Sequence, residues 1–336
     1  MRDLKEKSVD DLKIICRENG LADFKAREIF SFIHQKLGVD LKKITTLKKE
    51  ERERLGQDFY VSTISPLKTL KSRSTEKVLF ELEDHQTIET VMMRHEEGRL
   101  TLCISCQTGC PIGCMFCATG TLGPGRNLTV SEILSQVYHF AKKDKVSNVL
   151  FMGMGEPFLN YDNVLRAARI FNHKLGLNIA ARSIVFSTIG ILSGIKKLAQ
   201  EKEQFRLAWS LVSPLESQRP TMTAFKKMPK IHQIVDALKE YQGLTQRRIT
   251  IEYTVLFGIS DDRASIQDLI HIAQQLDCHV NLIPYNDSPG LPFAPGNIER
   301  IRAALEKADV NVTLRRSFGQ SISAACGQLA GKLSAD

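Results

Sequence analysis

Apolar residues near the start of the chain recur at intervals of three and four, which is the spacing of an amphipathic helix. Leu12, Ile15 and Cys16 show this spacing, and glycines separate the segments that carry it. The sequence therefore predicts a small helical accessory domain at residues 1–60. Its helices are expected at 9–19, 25–35 and 47–56.

In the next part of the chain, apolar residues recur at every second position. Val78, Phe80 and Leu82 alternate with charged residues, and apolar segments at 88–92 and 100–104 follow between polar stretches. Alternation of this kind predicts strands that turn one face toward a core. We therefore expect antiparallel β-hairpins, which form a connector over residues 61–99.

From residue 100 onward, continuous apolar segments alternate with helical patterns. Such strands are typical of a parallel sheet covered on both faces, and strand–helix units wind with one hand. The sequence thus predicts an α/β fold with a partial (βα)6-type barrel at residues 100–336. The strand-like segments are 100–105, 146–154, 183–187, 205–211, 249–257, 279–284 and 310–314. The helical patterns are 131–143, 161–173, 192–201, 232–241, 266–276 and 298–307.

Glycine-rich or polar segments follow several of these strands. They lie at 109–125, 153–157 and 187–190, and Asn286 follows the sixth strand. In a barrel of this kind the active site lies at the carboxyl ends of the strands. This agreement between fold and motif placement predicts an active site there.

The composition is that of a globular protein. The 336 residues are 43% hydrophobic and 25% charged, which excludes a disordered chain. The longest apolar runs fall far short of the ~20 residues of a membrane span, and the charged segment 1–7 is unlike a secretory signal. We therefore expect a cytoplasmic protein without a membrane partner.

The 46 basic and 38 acidic residues give a net charge of +8, and part of the excess is clustered. Such clusters can bind the phosphates of a polyanion. On charge alone, a solvated basic face is the favoured interpretation. The clusters are Lys68, Lys71, Arg73 and Lys77; Lys226, Lys227 and Lys230; Arg247 and Arg248; and Arg315 and Arg316.

Five of the eight cysteines lie between residues 103 and 117. Without a secretory signal their thiols should stay reduced, so metal or redox chemistry is the default interpretation. Cys110, Cys114 and Cys117, in the loop after the first barrel strand, can hold three corners of an iron–sulfur cube. The fourth iron is then open to a small molecule, whereas a cluster that only transfers electrons usually has four cysteine ligands.

A structural zinc ion is the main alternative. Cys103 and Cys106, together with Cys114 and Cys117, form two Cys-x2-Cys pairs of the kind found in tetrathiolate zinc sites. The short separation of the pairs, the strand at Cys103 and the surplus Cys110 favour the iron–sulfur cluster. A chance group of inert, buried cysteines is the third and weakest interpretation.

Six sequence motifs indicate which protein family the chain resembles. They are LCISCQTGC at 102–110, FCATG at 116–120, RNL at 126–128, MGMGEP at 152–157, NLIPYN at 281–286 and AACGQL at 324–329. With these motifs the chain resembles the RlmN/Cfr family of radical S-adenosylmethionine (SAM) RNA adenine methyltransferases. The resemblance extends over nearly the whole chain, including the helical domain.

The resemblance implies cofactors and a reaction. Family members hold a [4Fe–4S] cluster, here on Cys110, Cys114 and Cys117, and bind SAM at the strand ends. They methylate C2, or in some members C8, of an adenine in ribosomal or transfer RNA, and they consume two SAM molecules per turnover. The implied SAM contacts are Gly155, Glu156, Ser187, Ser210, Leu211, Val212 and Asn286.

The resemblance also implies three catalytic residues. Cys326 would first accept a methyl group from SAM, because an aromatic carbon is too weak a nucleophile to displace it directly. Glu89 would accept the ring proton, and Cys103 would release the product by forming a disulfide with Cys326.

Partners follow from the same reasoning. The resemblance implies an RNA substrate and an electron donor such as flavodoxin, and we expect the protein to act as a monomer. The helical domain at residues 1–60 adds charge without adding catalytic residue types, so we expect it to contact the RNA backbone.

Three segments depart from the family pattern. Val212 stands where family members usually have histidine, residues 222–226 replace an active-site loop, and Ser321 and Ser323 replace two carboxylates beside Cys326. These changes favour altered substrate handling. Two rival functions stay open, namely a radical SAM enzyme on a non-RNA substrate and a zinc-stabilised RNA-binding protein without activity.

Overall fold

The computed structural model describes residues 1–288 and 290–331. Its N-terminal part consists of three helices and a two-stranded parallel sheet. The helices predicted at 9–19 and 25–35 are present. The third begins at Lys49, two residues later than expected, because the Glu51 carboxylate accepts a hydrogen bond from the Lys48 N–H and caps the helix there. The elements are β1 (Arg2–Asp3), α1 (Val9–Glu18), α2 (Lys25–His34), α3 (Lys49–Asp58) and β2 (Phe59–Tyr60).

Ten further strands form one sheet, in which the spatial order equals the order along the chain. The first four are antiparallel neighbours, and from the fourth, β6 (Leu100–Cys103), onward all neighbours are parallel. β3 and β12 are the two edges, so the predicted partial barrel is confirmed as an open one. The strands are β3 (Ser65–Lys71), β4 (Thr75–Glu81), β5 (Thr87–Arg94), β6 (Leu100–Cys103), β7 (Asn148–Phe151), β8 (Ile184–Thr188), β9 (Arg206–Ser210), β10 (Ile249–Val255), β11 (Cys278–Pro284) and β12 (Val312–Leu314).

The antiparallel strands β3, β4 and β5 extend the barrel sheet directly, because β5 pairs with β6. The domain boundaries at residues 60 and 99 stay predictions. Residues 332–336, which the sequence analysis assigns to the barrel, lie outside the described residues.

Helices connect the parallel strands. The four-residue helices α4 (Ala118–Thr121) and α8 (Arg219–Met222) were not predicted, because a single turn gives no periodic pattern. Helix α9 continues past the expected residue 241 and ends where Gln246 takes a left-handed conformation with φ of 54°. The helices are α4 (Ala118–Thr121), α5 (Val130–Ala141), α6 (Tyr161–Asn172), α7 (Leu192–Ala199), α8 (Arg219–Met222), α9 (Ile231–Thr245), α10 (Arg263–Gln274) and α11 (Ile298–Lys307). Across the part of the chain that the structure describes, no helix has both the length and the apolar character needed to span a bilayer.

Polar contacts fix β1 and α2 against α5. The Ser131 hydroxyl donates to Asp3 Oδ2 at 2.6 Å, and the His34 Nδ1 lies 2.6 Å from the Tyr138 hydroxyl oxygen. Apolar side chains around these contacts belong to one continuous core that also contains the barrel strands. The helices and the barrel therefore pack as neighbours with a shared interior.

Candidate active site

A cavity of about 190 Å³ lies at the carboxyl ends of the parallel strands, where the sequence predicts the active site. With the exception of Glu89, every residue proposed for the site lines this cavity. The lining residues among them are Cys103, Cys110, Cys114, Cys117, Gly155, Glu156, Ser187, Ser210, Leu211, Val212, Asn286 and Cys326.

Cys110, Cys114 and Cys117 lie in the segment between β6 and α4, which we call the cysteine loop (residues 104–117). The backbone holds this loop tightly, since the Cys110 N–H donates to the Gly123 carbonyl at 2.8 Å. A Cβ atom on Gly120 would lie 2.3 Å from the Cys114 carbonyl oxygen. Position 120 therefore accepts only glycine unless the loop moves.

Burial favours the protonated form of the three thiols of the loop. Burial raises the pKa of the Cys110 thiol to about 12 and raises the pKa of Cys114 and of Cys117 above its ordinary value. Metal ligation requires thiolates, so binding a metal group here would release protons and depend on pH.

The thiol arrangement bears on the choice between the two metal hypotheses. Within residues 1–288 and 290–331, no three His, Cys, Asp or Glu side chains converge on one metal ion. A tetrathiolate zinc site on Cys103, Cys106, Cys114 and Cys117 needs such convergence. In an iron–sulfur cube each cysteine binds a different iron atom. Cys110, Cys114 and Cys117 all line the cavity, whereas Cys106, which the zinc site would need, is not among its lining residues. The donor set therefore fits a three-cysteine cluster better than a tetrathiolate zinc ion.

Glu156 is a buried acid that lines the cavity, and it follows β7. Its Oε1 accepts from the Phe158 N–H at 3.0 Å and its Oε2 from the Ile189 N–H at 3.1 Å. Burial raises the pKa of this carboxyl to about 7. Gly155 precedes it with φ of 100°, and a Cβ there would lie 2.6 Å from the Gln107 side chain. The turn thus presents a carboxylate that can hold a cation.

The ends of β8 and β9 supply hydroxyl groups. Ser187 Oγ and Ser210 Oγ are hydrogen-bonded at 2.9 Å, and the Leu211 N–H donates to the Glu252 carbonyl at 3.0 Å. Val212 is buried at the cavity wall. It gives the wall an apolar surface at the position where the family pattern has an imidazole.

Asn286 binds the C-terminal segment through both ends of its amide. Its Nδ2 donates to the Cys326 carbonyl at 3.2 Å, and its Oδ1 accepts from Gln320 Nε2 at 2.8 Å. The residue predicted to contact SAM therefore also supports the backbone at Cys326.

Cys326 lies in a C-terminal segment that packs beside the cysteine loop, and we call residues 323–331 the Cys326 loop. The Gly327 carbonyl accepts from the Ala118 N–H at 2.7 Å. Cys326 is exposed, whereas Cys103 is buried, and both are free thiols. Burial raises the pKa of Cys103 to about 12. A disulfide between them stays a prediction.

Glu89 on β5 is fully buried and contacts the Cys326 loop rather than the cavity. Its Oε2 accepts from the Ala330 N–H at 2.9 Å, and its Oε1 lies 2.9 Å from Lys77 Nζ. From the sequence, Lys77 was expected to belong to a basic cluster on the surface, together with Lys68, Lys71 and Arg73. The structure corrects this, because the Lys77 side chain is buried.

Glu252 and Arg315 are buried or half-buried charged residues of the cavity that were not proposed for the site from the sequence. Arg315 NH1 lies 3.4 Å from Glu252 Oε2, and both side chains line the cavity. Each had a signal in the sequence, since Glu252 is an acid inside an apolar strand and Arg315 belongs to a basic pair. The pair was counted as surface charge, which the structure corrects for Arg315.

The divergent segment 222–226 lies directly on the cysteine loop. The Met115 N–H donates to the Met222 carbonyl at 2.9 Å, and the Ala224 N–H donates to the Ile112 carbonyl at 3.0 Å. Changes in this segment therefore act on the backbone that carries the three thiols.

Comparison with known proteins agrees with this geometry. Residues 104–270 match the Radical SAM superfamily. The chain is 37% identical to a Clostridium novyi (strain NT) protein called probable dual-specificity RNA methyltransferase RlmN, over 98% of each chain. A protein with the same description from Dictyoglomus thermophilum is 38% identical, over 96% of this chain and 94% of that one. The crystal structure of a radical SAM methyltransferase from Sphaerobacter thermophilus superposes with a TM-score of 0.91 at 36% identity, over 99% of this chain and 100% of that one.

Proposed function

Because the chain belongs to the RlmN family of radical SAM RNA methyltransferases, we propose that its cavity methylates an adenine ring carbon of RNA. C2 is the expected position and C8 the alternative, and the substrate is ribosomal RNA, transfer RNA or both. One observation carries the proposal, namely that Cys110, Cys114, Cys117 and Cys326 line a single cavity.

The cofactors would be held by the residues already described. Cys110, Cys114 and Cys117 would bind a [4Fe–4S] cluster and leave one iron open for SAM, and Glu156 would hold the SAM amino group. When bound and reduced by a donor such as flavodoxin, the cluster supplies the electron that cleaves SAM and so activates a methyl group for transfer. Ser187 and Ser210 would supply hydroxyl contacts to the cosubstrate.

Cys326 supplies the nucleophile that the adenine ring lacks. Its thiol gives up a proton, its sulfur forms a bond to the methyl carbon of one SAM, and the sulfonium bond of that SAM breaks. A second SAM is consumed in removing one hydrogen atom from the resulting S-methyl group, and the carbon radical left behind bonds to the ring. One electron then leaves this adduct for a one-electron acceptor, for which an oxidised iron–sulfur cluster would serve. The Cys103 thiol gives up its proton and its sulfur attacks the Cys326 sulfur. The bond from Cys326 to the transferred carbon breaks, that carbon takes up a proton to become the methyl group, and a disulfide remains to be reduced.

Glu89 is the proposed acceptor of the ring proton. Its carboxylate is occupied by the Ala330 N–H and by Lys77 in this structure. To reach a substrate in the cavity, it would have to exchange these contacts for the base.

The test replaces the proposed methyl carrier. Cys326→Ala in the anaerobically reconstituted protein is expected to abolish formation of methyladenosine in RNA, as measured by nucleoside mass spectrometry with SAM and a reductant. Cys278→Ala is the matched control, because Cys278 is buried at the start of β11, the end of the sheet away from the cavity. Methylation that survives in Cys326→Ala contradicts the carrier mechanism.

A radical SAM enzyme with a non-RNA substrate is the second candidate. The contact between the divergent segment 222–226 and the cysteine loop favours it. This candidate predicts that the wild-type protein cleaves SAM but leaves ribosomal and transfer RNA unmethylated. Iron and sulfide analysis of the same preparation separates both enzymes from a zinc-stabilised binding protein.

A further inference from the structure

Two charged side chains are buried beneath the Cys326 loop. Lys77 on β4 is 3% exposed and Glu89 on β5 is 0% exposed. Leu79 lies opposite Glu89 in the antiparallel register, and Lys77 lies opposite Val91. Since alternate residues share a face, Lys77 and Glu89 are diagonal neighbours on one face of the sheet, and their Nζ and Oε1 atoms are 2.9 Å apart.

The pair contacts both ends of the loop. Lys77 Nζ donates to the Ser323 carbonyl at 2.9 Å, three residues before Cys326. Glu89 Oε2 accepts from the Ala330 N–H at 2.9 Å, four residues after it. The cation thus binds a carbonyl and the anion binds an N–H, so each charge meets the backbone group of opposite polarity.

Packing alone does not account for this pair. Burial of two charges removes them from water at a cost, and apolar residues of similar volume often stabilise a fold as well or better. An apolar pair, however, could not hold the Ser323 carbonyl or the Ala330 N–H. The feature that only the charged pair provides is attachment of the loop that carries Cys326.

We propose that Lys77 and Glu89 form a clasp that holds the Cys326 loop against the sheet, with Lys77 as a positioning residue for Cys326. The clasp sets where the Cys326 thiol stands relative to the cavity. It also occupies the Glu89 carboxylate while the loop is closed, so the loop must release Ala330 before Glu89 can accept a proton from a substrate. The role of Cys326 as methyl carrier rests on the proposed function, whereas the attachment of the loop does not.

The test removes the cation and keeps the length of the side chain. In Lys77→Met, amide hydrogen exchange of the peptide covering residues 323–331 is expected to accelerate about tenfold, because a hydrogen bond to a charged group is removed. Transfer of a methyl group from SAM to Cys326, measured as the mass gain of the same peptide in the reconstituted protein, is expected to fall. Lys197→Met is the matched control, since Lys197 forms an exposed ion pair with Asp162 on the outer helices. This control should change neither the amide exchange of residues 323–331 nor the methyl loading of Cys326.

The outcomes separate the clasp from the proposed function. A folded Lys77→Met protein with unchanged exchange and unchanged methyl loading overturns the clasp. A wild-type protein that never methylates Cys326, while Lys77→Met still frees the loop, supports the clasp and overturns the methyl-carrier function. If Lys77→Met fails to fold, Lys77→Met/Glu89→Gln removes both charges, and accelerated exchange of residues 323–331 is again the expected result. Unchanged exchange in a folded double variant overturns the clasp.

Discussion

The fold perturbs the ionisation of the Glu156 carboxyl, which lines the cavity. Burial raises its pKa from 4.5 to about 7. The folded chain therefore binds this proton more tightly than the unfolded chain does. Its stabilising contribution is fully present below about pH 4.5 and is lost as the pH rises through about 7.

The direction of this pH dependence gives a prediction for the stability of the metal-free protein. Glu156→Gln cannot ionise, so its stability relative to the wild type should improve as the pH rises. The gain in unfolding free energy at about pH 8 should exceed the gain at about pH 5.5 by about 2 kcal/mol. Urea unfolding at the two pH values measures the difference. The amide also loses one acceptor oxygen, but that cost is the same at both pH values.

Glu299→Gln on α11 is the matched control, because Glu299 is an exposed acid remote from the cavity. Its effect on stability should change little between the two pH values. If the difference between Glu156→Gln and the wild type stayed constant with pH, the raised pKa of Glu156 would be refuted.

Single residues also show which features of the site could be predicted from the sequence and which could not. The spacing of Cys110, Cys114 and Cys117 is local, so the sequence alone placed them in one loop. Lys77 and Ser323 are separated by 246 positions, and neither lies in a motif. The burial of Lys77 follows from the pairing of β4 with β5 and from the path of the Cys326 loop, which no local pattern encodes.

At the scale of elements, the cysteine loop depends on close backbone approaches. A Cβ on Gly120 would meet the Cys114 carbonyl oxygen at 2.3 Å, and backbone atoms cannot yield as a flexible side chain can. Gly120→Ala is therefore expected to displace the loop and to lower the iron and sulfide retained after anaerobic reconstitution. Metal analysis per chain measures the decrease.

The control for this change is Gly243→Ala. Gly243 lies in α9, and a Cβ there meets no atom within 4 Å. This variant should therefore keep its iron. Because alanine has a better helix propensity than glycine, it should also unfold at a slightly higher temperature. Full iron and sulfide content in Gly120→Ala would show that the loop tolerates the added methyl group.

The elements themselves were predictable in proportion to their length and regularity. The apolar runs from residue 100 onward gave the parallel strands, because buried strands need no polar positions. β7 ends at Phe151, short of the predicted residue 154, where the chain turns so tightly that a Cβ on Gly153 would lie 2.6 Å from the Ile104 backbone. That approach is tertiary, so periodicity could not reveal it.

At the scale of the whole molecule, the basic residues that are clustered in the sequence divide into buried ones and exposed ones. Lys77 and Arg315, which the sequence grouped with surface clusters, contact the Cys326 loop and the cavity wall. Lys68, Lys71 and Arg73 stay exposed, on or just after the edge strand β3. An exposed row of cations on a sheet edge suits contact with phosphates, whose binding releases counterions and weakens with salt.

This row makes the RNA-binding hypothesis measurable. Lys68→Gln/Arg73→Gln should weaken RNA binding and reduce the slope of log affinity against log salt by about 0.7–0.9 for each RNA phosphate that the variant no longer neutralises. Cleavage of SAM without RNA should stay unchanged. Lys239→Gln/Arg248→Gln removes the same charge at a site away from β3, where Arg248 donates to Asp277 and Lys239 donates to Gln275. If both double variants lowered the slope equally, net charge rather than the β3 edge would account for RNA binding; a decrease confined to the β3 variant would place RNA phosphates along that edge.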